Sequence, residues 1–120
     1  MKKKVLIAED SIHMRMLLKD ILLRNGYEVA GEAENGREAV RLYGELKPDI
    51  VTLDIAMPDM GGIAALKEIR GEHPEAVVVM ASTMNQQTQV IEAIRAGAAD
   101  FFIKPMQAER VIEALERAVK

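Results

Sequence analysis

Short apolar runs alternate with stretches of helical period along the whole chain. Val5–Ala8, Asp49–Asp54 and Ala76–Ala81 are nearly continuous and rich in β-branched residues, the pattern of strands buried on both faces. Tyr27–Ala33 and Asp100–Ile103 are shorter or weaker strand candidates. Ser11 can cap a first helix, with Met14, Leu17, Leu18, Ile21 and Leu22 inward and Asn25-Gly26 as its stop. Asn35-Gly36 turns into a second helix through Ala39, Val40, Tyr43 and Leu46, which Lys47-Pro48 ends. A third helix runs from Gly62 to Glu72 with Ile63, Leu66 and Ile69 inward, and His73-Pro74 breaks it. The fourth, Gln86–Ala96, places Val90, Ile91 and Ile94 inward before Gly97. The fifth, Ala108–Lys120, is buried through Val111, Ile112, Leu115 and Val119. Strict alternation of strands and helices predicts an α/β fold: a parallel sheet, helices on both faces, right-handed crossovers.

Composition narrows the setting. The 120 residues, 49% hydrophobic, make one globular domain (1–120) with a single core, and exclude disorder. The absence of cysteine excludes disulfides and thiolate metal sites and fits a reducing, cytoplasmic compartment. No apolar run approaches the roughly 20 residues of a membrane span. Lys2-Lys3-Lys4 before Val5-Leu6-Ile7-Ala8 has the charge of a signal-peptide start, but the apolar part is too short and Glu9-Asp10 ends it. A net charge of −3 without a basic stripe argues against direct nucleic-acid binding. The eight methionines fall mostly at core periods or beside the inferred cleft, as gap-fillers.

The chemistry collects at one edge. Four strands end on Glu9-Asp10, Asp54, Ser82 and Lys104, and in a parallel sheet these ends lie on one side, where ligands bind. Each like-charged pair at 4 Å costs about 4 kcal/mol at an effective dielectric of 20, so Lys104 alone cannot offset three acids. A divalent cation can, and an all-oxygen site suits magnesium. A carboxylate beside magnesium can attack phosphorus and form an aspartyl-phosphate, with Lys104 and the Ser82 hydroxyl on the phosphoryl oxygens. Thr83 is the weaker hydroxyl candidate if the strand ends at Ala81. Each residue alone has a plainer reading, as a loop acid, a helix cap or a surface lysine; their coincidence at successive strand ends favours the site.

With these motifs the chain resembles the response-regulator receiver domains over its whole length, and among them the single-domain chemotaxis regulators of the CheY type. The motifs are Val5-Leu6-Ile7-Ala8-Glu9-Asp10, Asp54-Ile55-Ala56-Met57-Pro58, Ala81-Ser82 and Lys104-Pro105, in the family's order. The resemblance implies a flavodoxin-like five-stranded sheet in order 2-1-3-4-5. It implies that Asp54 accepts phosphate from a CheA-like histidine kinase. Glu9, Asp10, Asp54 and the Ala56 backbone carbonyl would hold Mg2+ (or Mn2+), and Ser82 and Lys104 would grip the phosphate. Lys104-Pro105 is often cis in the family. Phe101 would act with Ser82 as the switch, reshaping a partner face with Gln89, Arg95, Phe101, Met106 and Arg110. Ala56 and Met84 fall where the family tunes dephosphorylation. The implied protein is a signalling phosphoacceptor rather than an enzyme, monomeric, with a downstream target such as a flagellar switch protein and a phosphatase partner.

The sequence also departs from the family. Glu9 replaces a commoner Asp, Phe101 lacks a hydroxyl, Gly61 is a weak cap, and His13 reads as surface. Neither Ala56 nor Met84 can orient a water through its side chain, which predicts slow hydrolysis of the phosphorylated form. Other readings are a phosphorelay intermediate, a receiver cut from a larger regulator, and a fold kept only for binding. A magnesium-dependent aspartyl phosphatase is disfavoured because Ala56 stands where a haloacid dehalogenase-like enzyme carries its second Asp.

Overall fold

The computed structural model describes residues 2–120. Five strands, β1 (Lys4–Ala8), β2 (Glu28–Ala33), β3 (Ile50–Asp54), β4 (Val78–Ser82) and β5 (Asp100–Ile103), alternate with five helices. The helices are α1 (Ile12–Arg24), α2 (Gly36–Leu46), α3 (Gly62–Glu72), α4 (Gln87–Arg95) and α5 (Ala108–Ala118). The strands pair in parallel in the order β2-β1-β3-β4-β5, so the expected flavodoxin-like topology holds.

Two apolar layers sandwich the sheet. One joins Leu6, Val51, Leu53, Val78 and Met80 to α2, α3 and α4 through Tyr43, Leu66, Ile69 and Val90. The other joins Val5, Ile7, Ile50 and Val79 to α1 and α5 through Leu18, Leu22, Val111 and Leu115. β3 is the central strand and is buried along its length, so its last residue is delivered into the carboxyl edge of the sheet.

Caps and glycines set the loops around that edge. Ser11 Oγ accepts from Met14 N–H at the start of α1, and Asn35 Oδ1 accepts from Glu38 N–H at the start of α2. Gly62 opens α3 directly beneath Asp54: a Cβ there would lie 2.1 Å from the Asp54 carbonyl oxygen. No other residue fits so close an approach. Gly61 supplies no side-chain cap, as its composition implied.

Several boundaries and faces differ from the sequence pattern. β4 begins at Val78 and includes Ser82, where the pattern put Ala76–Ala81; the strand starts only where pairing with Val51 begins. α5 stops at Ala118, and Val119 is exposed. In α4 the buried residues are Val90 and Ala93, while Ile91 and Ile94 are 54% and 43% exposed. α4 packs on β4, and Ile91 and Ile94 line an open groove beside Phe101 and Ile103 of β5. In α1, Leu17 is exposed and the buried stripe contains Arg15 instead. Leu46 at the end of α2 is also exposed.

Candidate functional site

Parallel strands bring their carboxyl ends to one edge, and β1, β3, β4 and β5 each deliver a polar group there. Glu9 follows β1, with its backbone N–H on the Ala33 carbonyl of β2 at 2.9 Å. Asp54 ends β3 and is only 6% exposed. Ser82 ends β4, fully buried, and its Oγ has no hydrogen-bond partner among the described residues. Lys104 follows β5, at a cis Lys104-Pro105 peptide.

Lys104 ties the edge together. Its Nζ lies 2.6 Å from Glu9 Oε1 and 3.1 Å from Asp54 Oδ1. Glu9 Oε2 also accepts from the Ser11 N–H at 3.1 Å. Asp10 is exposed, and its carboxylate makes no hydrogen bond among the described residues. One oxygen from each of Glu9, Asp10 and Asp54 lies within 4.8 Å of the others.

These distances explain the charge states. Burial, and then the neighbouring Glu9 charge, push Asp54 up to about 6 against the pull of Lys104. Burial opposes ionisation of Glu9 too, but hydrogen bonds from Lys104 and the Ser11 N–H overcome it and hold Glu9 below the ordinary range. Burial likewise works against the Lys104 charge, and the Glu9 and Asp54 carboxylates outweigh it and hold Lys104 high.

The donor set suits a hard cation. Three carboxylates supply only oxygen, they lie close together, and a single ammonium serves two of them, leaving Asp10 uncompensated. Among the described residues no backbone N–H donates to the Ala56 carbonyl. Ser82 adds a buried hydroxyl without a partner at the next strand end, a position that an incoming anion can satisfy.

Residues 5–116 match the model of the response regulator receiver domain. The chain belongs to that family. This receiver domain is 60% identical to the chemotaxis protein CheY of Thermotoga maritima over 120 residues, which cover both chains completely. It is 53% identical to CheY of Bacillus subtilis over 99% of each chain. It superposes with TM-score 0.94 and 32% identity on a structure of the CheX-CheY-BeF3-Mg+2 complex from Borrelia burgdorferi, covering 98% of this chain and 90% of that one. The response regulator domain of Thermotoga maritima CheB matches with TM-score 0.87 and 39% identity, covering 99% and 95%. The receiver is thus a close relative of CheY and a two-component signalling switch of the phosphorylation-activated kind.

The remaining sequence candidates are spread around this edge. Ala56 is exposed in the loop after Asp54, and Met84 is 71% exposed. Thr83 is exposed and gives its hydroxyl to Asn85 Oδ1, leaving Ser82 as the inward hydroxyl. Phe101 is half-buried against the α2–α4 layer. It lines a largely apolar groove of about 500 Å³ with Ile91, Ile94, Arg95 and Ile103. A second groove joins Phe101 to Arg110 along α5. Gln89 lines neither groove, and Met106 packs against the α1–α5 layer. His13 is exposed, as its position implied.

Arg15 was missed by the sequence reading. It is 7% exposed, and its Nη1 donates to the Glu9 carbonyl at 2.7 Å. Its signal was present: residues 15, 18 and 22 fall on one helical stripe, so an arginine stands in the buried row of α1.

Proposed function

We propose that residues 1–120 act as a single receiver domain, and that Asp54 takes a phosphoryl group from the phosphohistidine of a CheA-like kinase. The observation that carries this is one geometry: a buried Asp54 held by Lys104 at 3.1 Å, among acids within 4.8 Å, beside the unpartnered hydroxyl of Ser82. An Asp54 carboxylate oxygen forms the new O–P bond. The P–N bond to the donor imidazole breaks, and the imidazole leaves with the electron pair and recovers a proton from solvent. Lys104 is already on Asp54 and remains with the phosphoryl oxygens as negative charge gathers there. Ser82 donates its hydroxyl to one of them, which removes the cost of its unpaired burial. Glu9, Asp10 and Asp54, with the Ala56 carbonyl, would hold Mg2+, or Mn2+ in its place, and the cation supplies charge neutralisation at the transferring group.

The readout follows from the same hydroxyl. As Ser82 turns to the phosphate, Phe101 moves inward beside it and the face carrying Gln89, Arg95, Met106 and Arg110 changes shape. That face would meet a downstream protein such as a flagellar switch component, while a phosphatase would work at the acid edge. The protein acts as a monomeric cytoplasmic phosphoacceptor with no separate substrate of its own. Among the described residues no helix is long and apolar enough to cross a membrane.

Intact mass after incubation with acetyl phosphate and magnesium tests the assignment. One phosphoryl group should be gained, and lost again on omitting magnesium or in Asp54→Ala. No adduct in the parent together with no beryllofluoride binding would overturn it.

A further inference from the structure

We propose that Arg15 is a positioning residue that fixes the aim of Glu9-Asp10, the acid pair at the end of β1; the proposal rests on the reading of that pair as the cation site. Asp10 has no hydrogen-bond partner of its own among the described residues, so what fixes the root of its side chain, the direction of its Cα–Cβ bond, is the peptide that carries it. Both backbone groups of the preceding Glu9 are fixed. Its N–H donates to Ala33 at 2.9 Å, and its carbonyl accepts from Arg15 Nη1 at 2.7 Å. The second bond orients the Glu9–Asp10 peptide plane, because rotating that plane would swing the carbonyl off the guanidinium and turn the Asp10 carboxylate with it.

The guanidinium is itself held. Its Nε lies 3.1 Å from Glu32 Oε1 and its Nη2 3.7 Å from Glu34 Oε1. These two acids flank Ala33, the residue that accepts the Glu9 N–H. Lys19 also pairs with Glu32, at 3.3 Å. The end of β2 therefore grips the Glu9 peptide from both sides, once through Ala33 and once through Arg15. Only a planar fork can serve carboxylates and a carbonyl together from one buried position. A lysine's donors all sit on one nitrogen, which could not span the separate Nε, Nη1 and Nη2 contacts made here.

Outer groups that orient ligands commonly set cation affinity by about 10-fold or more. Binding of Mn2+, followed by the electron paramagnetic resonance of the free ion, measures this without any phosphoryl chemistry. The parent should bind one equivalent, lost in Asp10→Asn; if it binds none, or if Asp10→Asn binds like the parent, the cation site itself is wrong and the proposal falls with it. Given that site, Arg15→Met should weaken Mn2+ by about 10-fold. Arg15→Lys and the double variant Glu32→Gln, Glu34→Gln should fall between. Leu22→Ala, a buried truncation on the same helix, controls for general loosening and should leave the affinity near that of the parent. Equal affinity in Arg15→Met and the parent would overturn the proposal, as would an equal loss in Leu22→Ala. If Arg15→Met does not fold, Arg15→Lys carries the same test, and an unchanged affinity there overturns it.

Discussion

The ammonium of Lys104 lies 2.6 Å from Glu9 Oε1, joining residues 95 positions apart across the carboxyl edge of the sheet. The same ammonium faces Asp54 at 3.1 Å, so one cation holds two mutually repelling, buried carboxylates. Removing a partner from a buried pair costs about 3–5 kcal/mol when no relief is available. Here relief exists, because Asp54 can take up a proton. Lys104→Met should therefore cost about 2 kcal/mol at pH 7.5, below that range. The deficit should shrink as the pH falls and Asp54 becomes neutral. Added magnesium should narrow it as well. Urea denaturation at pH 7.5 and pH 5, with and without magnesium, measures all three effects; a variant as stable as the parent at pH 7.5 would show that the pair contributes nothing.

Asp54 gives the opposite sign to an ordinary surface acid. Its pKa stands at about 6 in the fold against an ordinary 3.8. The native state thus holds the proton more tightly than the unfolded chain. Its ionisation costs stability: the cost is absent below pH 4, grows between pH 4 and 6, and is complete above. Two pKa units correspond to roughly 3 kcal/mol, an upper bound for a group coupled to Glu9 and Lys104. Asp54→Asn should stabilise the fold by about 2 kcal/mol at pH 7.5 and by little at pH 4. Thermal unfolding across that range checks it, and a variant less stable than the parent at pH 7.5 would contradict the assignment.

The parts of this arrangement that were legible in the sequence are those that depend on strand ends alone. Glu9, Asp54, Ser82 and Lys104 each follow or end a strand candidate, and parallel order alone is enough to bring them together. Helix faces were less legible. Val90, Ile91 and Ile94 read as one inward stripe, yet the sheet beneath α4 receives Val90 and Ala93, and the two isoleucines line an open groove with Phe101. Periodicity reports that a helix is amphipathic; which part of the apolar face is covered depends on where the sheet ends. Arg15 was illegible for a related reason. A charged residue in a buried row reads as an error of phase until Glu32, Glu34 and the Glu9 carbonyl are seen around it.

Thr52 carries a second buried hydroxyl without a partner among the described residues, on β3 two residues before Asp54 and on the same face of the sheet. Its neighbours across the ladder are Ile7 and Val79. A buried unpaired hydroxyl costs about 1–3 kcal/mol, and valine matches threonine in shape. Thr52→Val should stabilise the fold by about 1 kcal/mol and leave labelling by acetyl phosphate unchanged. A loss of labelling would instead show that this hydroxyl serves the phosphorylated state.

Ala56 and Met84 bracket the reacting edge with side chains that cannot hold a water. Both are exposed, so larger polar groups fit there without disturbing the core. If Asp54 is phosphorylated as proposed, an attacking water there must orient itself, and the phosphorylated form should be long-lived unless another protein supplies the missing group. One well-placed hydrogen bond is worth about 1.4 kcal/mol, or about tenfold in rate. The double variant Ala56→Asn, Met84→Glu should shorten the lifetime of the phosphorylated form by about that factor. Both substitutions keep the Asp54, Lys104 and Ser82 side chains and the Ala56 backbone carbonyl, so the extent of labelling at early times should stay the same. Decay followed by intact mass after acetyl phosphate is removed gives the rate directly; equal decay in the parent and the double variant would place control of the lifetime elsewhere on the edge.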